Sequence, residues 1–268
     1  RCNATTRQQY RRYMVAFLAD VLGDPANGHL SGIRDVTEDE VIAYIAAKDP
    51  RGGMRRQTLK ALHSFYTWAE RRREMSNVVL ALPLPREKYG RAPTLEREER
   101  LLLFAAAERI DPRARPAMEL MYATGARMGS LVALEAEDVF TAPSGRAWIR
   151  FRVAKGDRPY ELPLNALGHR AYRRLVCLAS YQPSHATARL PTLVGVGSET
   201  VWEWVHRASL DSGVKAWPHL LRHTFATELA EVDDRTWAGL MNHRNAALRA
   251  RYAPPKDDRM EAGVDVLD

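Results

Sequence analysis

Apolar residues recur at three- and four-residue intervals along most of the chain and alternate in one short region. That pattern predicts a mainly α protein with a small β element. Thr5 to Leu22 reads as a helix with Tyr10, Met14, Phe17 and Val21 at core spacing, and with Arg7, Arg11 and Arg12 largely outside that stripe. Gly23-Asp24-Pro25 ends it. Thr37-Glu38-Asp39-Glu40 is a capping box that opens a short helix, whose inner face is Val41, Tyr44 and Ile45. A third helix, from about Arg55 to Arg73, turns Leu59, Leu62, Phe65, Tyr66 and Ala69 inward. Arg56 and Lys60, one turn apart, share its polar face.

Between Asn77 and Pro93 the pattern lapses. Pro83, Pro85, Gly90 and Pro93 stand among Arg86, Lys88 and Arg91, which reads as a stiff, extended connector. The expected organisation is a helical domain over 1–76, a linker over 77–93 and a second domain over 94–268. In the second, Thr94 is expected to cap a helix from Leu95 to Arg109. Pro116 to Thr124 forms the next helix, with Gly125 as a left-handed cap. Arg127 then starts another through Leu131 and Leu134, and Glu135 or Glu137 are its ordinary surface partners. Trp148–Val153 and Tyr160–Leu164 alternate as two strands of a hairpin with Lys155 at the tip. Ala166–Ser180 and Ser198–Ser209 read as helices, with a loop-rich stretch from Tyr181 to Val196 between them.

The last strong pattern begins at Pro218. Leu221, Phe225 and Leu229 make a stripe to bury, with His219, Arg222 and His223 on roughly the opposite side. Tyr252 follows His243 by nine residues, which on one unbroken helix would set them on opposite sides. Asn245 supplies a break as an N-cap, and Pro254-Pro255 stops the helix beyond Tyr252.

Composition narrows the partners. The chain has 268 residues, 46% hydrophobic and 27% charged, as in an ordinary globular protein, and 268 residues favour two domains. No apolar run approaches the roughly 18 residues of a membrane span. Cys2 and Cys177 are far apart and lack metal-ligand spacing, so no disulfide or zinc framework is expected and a reducing cytoplasm fits. The net charge of +7 is uneven: 16 Lys+Arg face 10 Asp+Glu up to Pro93, but 24 face 23 beyond it. A basic first third suggests a polyanion as partner.

A histidine and an arginine one turn apart ordinarily mark a solvated helix face. Here they stand in an ordered set: Ala123-Thr124-Gly125-Ala126-Arg127, the hairpin Lys155, His219-x-x-Arg222-His223, His243 and Tyr252. That order resembles the tyrosine recombinases, the phage-integrase family of site-specific recombinases, and the resemblance covers most of the chain. Leu59-Lys-Ala-Leu-His-Ser-Phe-Tyr-Thr-Trp68 is similar to the family's helical core-binding domain. The resemblance implies a helical core-binding domain joined to a mixed α/β catalytic domain.

It also implies a mechanism. Arg127 and Arg222 would grip a scissile phosphate, a task that suits guanidinium forks. His219 and His243 would add hydrogen bonds, and His219 could accept the phenolic proton. Tyr252 would attack to leave a 3′-phosphotyrosyl link and a 5′-hydroxyl, with Lys155 protonating the leaving oxygen. Neither metal nor ATP is needed, so no cofactor is expected. The implied partners are double-stranded DNA and three further copies in a tetramer, with accessory DNA-bending or directionality factors. Val264, Val266 and Leu267 in the tail are expected to dock on a neighbour. Candidate DNA contacts are Arg7, Arg11, Arg55, Arg56, Lys60, Arg86, Lys88 and Arg91.

One position departs from the family. The residue three after the first arginine is commonly acidic and here is Ser130. Many phage integrases also carry an arm-site-binding domain ahead of the core-binding one. None is evident from Arg1 onward, so either a two-domain member or a shortened one is expected. Two further readings remain: a type IB topoisomerase-like enzyme that nicks, swivels and reseals, and a DNA-binding regulator on the same scaffold.

Overall fold

The computed structural model describes residues 4–22, 32–47, 53–72, 74–84, 92–152, 159–180, 192–230 and 232–242. The chain forms two compact units, Arg1–Tyr89 and Gly90–Asp268.

The first unit is helical. Helices α1 (Ala4–Val21), α2 (Glu38–Ala47) and α3 (Gly53–Arg71) pack around Phe17, Val41, Tyr44, Leu59, Leu62 and Tyr66. Phe17 meets Tyr44 edge-on, with ring centroids 5.0 Å apart. Thr37 and Glu40 close the expected capping box: the Thr37 N–H donates to Glu40 Oε2 at 2.7 Å, and the Glu40 N–H donates to Thr37 Oγ1 at 3.3 Å. The expected connector is shorter than its proline content suggests. Residues 78–81 form a turn and Val79 is fully buried in the first unit's core. At the other end Ala92 is buried in the second unit. Burial of Val79, with Val78 packed beside it, overrides the local preference for extension. Residues 85–91, with Arg86, Lys88 and Arg91, lie outside the described residues.

In the second unit, α4 (Arg97–Glu108), α7 (Ala166–Ser180), α8 (Ser198–Ser212) and α9 (Pro218–Glu228) surround α5 (Ala114–Thr124). Helix α5 is buried on nearly every side, Arg115 apart. Its alanines let neighbours approach closely. Helix α4 starts two residues later than expected, because Glu96 rather than Thr94 caps it, in a reciprocal pair with Glu99. Leu95 is instead tied to α9, its N–H donating to Thr224 Oγ1 at 3.0 Å.

The short helix α6 (Met128–Val132) leads to a three-stranded antiparallel sheet in the order β1 (Val139–Thr141), β2 (Ala147–Phe151), β3 (Tyr160–Pro163). Strand β1 carries too few residues to show alternation in sequence. Ile149 opposes both Val139 and Leu162, and Phe151 opposes Tyr160, so the inner face is apolar and aromatic. Residues 153–158, including Lys155, lie outside the described residues. A further helix, α10 (Asp234–Leu240), follows α9; Asp233 caps it by accepting from the N–H groups of Arg235 and Thr236, both at 3.0 Å. Among the described residues no helix is long and apolar enough to cross a membrane.

Candidate active site

The site is built on the corner between α5 and α6. Gly125 ends α5 at φ +59°, the left-handed conformation that glycine tolerates best. A Cβ there would collide with the Phe225 ring of α9. The sharp exit places Arg127 at the N-cap of α6 in an extended conformation, with its carbonyl accepting from the N–H groups of Ser130 and Leu131 at 2.9 and 3.0 Å. The backbone of Arg127 is therefore fixed. Its side chain is half-buried, and among the described residues its guanidinium has no carboxylate partner. Glu135 and Asp138, beside it in sequence, are held instead by Arg152 at 2.7 and 2.6 Å, and Glu137 lies 3.9 Å from the same guanidinium.

Arg222 is placed differently. The expectation of an open polar face on α9 is corrected by the packing: Arg222 is 1% exposed and His223 6%, while Phe225 is only half-buried. Helix α9 lies against α5, α8 and α10, so it has no free side wide enough for three polar residues. Arg222 donates from Nη1 to the Gly125 carbonyl and from Nη2 to the Met241 carbonyl at 2.6 Å. A guanidinium buried to this degree needs such acceptors. These two bonds join the Arg127 corner to the end of α10, next to Asn242, which stands at φ +45°. Trp237 anchors the same helix, fully buried, with its Nε1–H donating to the Ala226 carbonyl at 3.0 Å.

His219 is exposed at the first turn of α9, and its ring meets that of His223 edge-on at 4.6 Å. The structure thus brings Arg127 and Arg222 to one corner through Gly125, and sets His219 one turn from Arg222. Lys155, His243 and Tyr252 lie outside the described residues. In the first unit, Arg7 and Arg11 are exposed on α1, and Arg56 and Lys60 are half-buried on α3. Arg55 donates to the Ala46 carbonyl at 2.6 Å, so one of its N–H groups holds the C-terminal end of α2.

Two groups beside the site escaped the sequence reading. Tyr122 donates to Glu228, which also receives Arg100 at 2.6 Å, and the Arg100 guanidinium lies 4.3 Å above the Tyr122 ring. This cluster clamps α4, α5 and α9 together. Burial, then the adjacent Glu228 carboxylate, pushes the Tyr122 hydroxyl well above its ordinary pKa, so it stays protonated. Tyr160 is the second. Its ring stacks on Phe151 at 4.9 Å and its hydroxyl is buried. Burial pushes its pKa up, opposed by Arg222, Arg127 and the nearby Ser130 hydroxyl. The alternation Tyr160, Leu162, Leu164 already put this tyrosine on the inner face, where a buried phenol needs a partner.

Two guanidinium groups, one rigid and one without a carboxylate among the described residues, are an arrangement suited to holding an anion with two oxygens to share, such as a phosphodiester. Over 239 residues the chain is 28% identical to tyrosine recombinase XerC of Vibrio parahaemolyticus, covering 82% of this chain and 75% of the relative. It is 29% identical over 280 residues to tyrosine recombinase XerD of Corynebacterium glutamicum, covering 93% and 87%. In fold it is similar to a lambda integrase dimer bound to a COC′ core site, with a TM-score of 0.73 at 20% identity over 96% of this chain and 91% of the other. The Tn1549 transposon integrase in complex with circular intermediate DNA also superposes with a TM-score of 0.73, at 16% identity over 98% and 94%. The phage integrase family pattern spans residues 93–259, more than half of the chain, and the protein belongs to that family of tyrosine recombinases, enzymes that break and rejoin DNA strands.

Proposed function

We propose that this protein is a site-specific recombinase that cuts and rejoins duplex DNA through a 3′-phosphotyrosine on Tyr252. The observation that carries the reading is the Gly125 corner, where Arg222 is fixed by backbone carbonyls and Arg127 is left without a carboxylate partner among the described residues. A scissile phosphate between them would receive charge-assisted hydrogen bonds as negative charge builds on its non-bridging oxygens. The same cations favour the phenolate of Tyr252, whose ordinary pKa near 10 makes it a weak nucleophile otherwise. His219 takes the phenolic proton, His243 donates to the phosphate and Lys155 protonates the 5′-oxygen that leaves. The phosphoester bond is conserved in the protein link, so rejoining needs neither metal nor ATP.

Two sites and four copies make the working assembly, with the tail residues Val264, Val266 and Leu267 docking between neighbours. The basic first unit holds the duplex through Arg7, Arg11, Arg55, Arg56 and Lys60, with Arg86, Lys88 and Arg91 following the backbone. Accessory DNA-bending or directionality factors would act on that assembly. The protein works on DNA in the bacterial cytoplasm. The reading extends to an integrase of a phage or mobile element, whose paired attachment sites differ in their flanks. Identical paired sites would point to multimer resolution instead.

The test begins by selecting bound duplexes from a random-sequence pool, then building nicked suicide substrates on the selected sequence. Wild type is expected to give a covalent protein–DNA band without added metal, and Tyr252→Phe none. A wild type that binds without forming the band would promote the regulator reading. Relaxation of supercoiled plasmid without paired sites would promote the topoisomerase reading.

A further inference from the structure

Strand β3 leaves one polar group of the site unaccounted for. The Tyr160 hydroxyl is buried, yet among the described residues it makes no hydrogen bond of good geometry. A buried hydroxyl in that state is costly to the fold unless a partner arrives. The ring cannot turn away to find one, because it stacks on Phe151 with an interplanar angle of 23° and packs against the unit's main core. The hydroxyl is close to Ser130, itself 5% exposed, and feels the charges of Arg222 and Arg127. Arg222 already donates to two carbonyls, whereas the Arg127 guanidinium, three residues before Ser130, has no acceptor among the described residues.

We propose that Tyr160 is a positioning residue for Arg127: its hydroxyl oxygen accepts a guanidinium N–H when Arg127 closes on a phosphate, while its own proton goes to Ser130 Oγ. The inference rests on the recombinase reading above. A phenol and a serine hydroxyl are neutral, so they orient the arginine without cancelling its charge. A carboxylate in their place would fix the arginine and also weaken its attraction for a phosphate. The chain Ser130–Tyr160–Arg127 satisfies the buried hydroxyl at the moment the site is occupied, which ties the geometry of β3 to catalysis.

Single-turnover formation of the covalent complex on the suicide substrate tests it, in wild type, Tyr160→Phe, Arg127→Ala and the double variant. Tyr160→Phe keeps the ring on Phe151 and removes one oxygen, so melting temperature and DNA affinity should hold. The rate is expected to fall roughly tenfold, the size of one lost hydrogen bond to a charged group. In the Arg127→Ala background the same change should cost nothing, because the group it positions is gone. An equal loss in both backgrounds would mean a structural role and overturn the proposal, as would a Tyr160→Phe rate equal to wild type. A wild type that forms no covalent complex would overturn the recombinase reading and this inference with it.

Discussion

The arginines of the two units face different surroundings. In the second unit they meet carboxylates: Arg152 holds Glu135 and Asp138, Arg115 and Arg174 share Glu108, Arg113 pairs with Asp111, and Arg150 crosses the sheet to Glu161. In the first unit Arg7, Arg11 and Arg12 are exposed along α1, on a segment with no acidic residue until Asp20. The charge balance follows, with an excess of six cations up to Pro93 and one beyond it. Exposed pairs such as Arg150 with Glu161 contribute at most about 1 kcal/mol each. Their consequence here is electrical, since the cations and anions of the second unit nearly cancel in number. A basic surface serves a long polyanion, whereas a neutral surround focuses attraction on one phosphate.

The sharpest way to break that comparison is to remove the two site arginines separately. Arg127→Ala should lower the rate of covalent complex formation by about 10²–10³-fold, with the melting temperature unchanged. Arg222→Ala should lose at least as much rate and also stability, about 1–3 kcal/mol for each of the two carbonyls left without a donor. Equal effects of the two variants on denaturant midpoints would show that Arg127 is also structural. Next in size, Gly125→Ala should destabilise by roughly 2–4 kcal/mol, combining a left-handed backbone with overpacking against Phe225. Chemical denaturation measures it, and a cost below 1 kcal/mol would mean that the corner can relax. The smallest effect belongs to the first unit. Lys60→Gln should reduce the salt slope of DNA affinity by about 0.9 if that lysine meets one phosphate. An unchanged slope with unchanged affinity would remove Lys60 from the interface and leave its half-buried stem as packing.

Much of the architecture was legible in the residues. Heptad-like spacing located the helices, the Thr37–Glu40 box and the Gly125 cap appear as read, and the alternation around Tyr160 marked a hairpin. These signals are local, because capping, left-handed backbone and side-chain periodicity depend on residues within one or two turns. The misses are of another kind. Thr94 is a better capping residue than Glu96, yet Leu95 is drawn to Thr224, 129 positions away, and the helix starts later. Strand β1 exists through pairing with β2. The connector lost its first residues to the core around Val79.

The sequence by itself determined the family and the mainly helical class and nominated the candidate site residues, since spacing and residue type carry those. Only the tertiary structure decided how the arginines differ. Packing of α9 against α5, α8 and α10 turned Arg222 into a brace between Gly125 and Met241, whereas Arg152 took the carboxylates that would have neutralised Arg127. It also brought the hydroxyls of Tyr160 and Ser130 to the same corner, 30 positions apart in sequence. Competition for acceptors and packing between distant segments has no period along the chain, so no local pattern announces it.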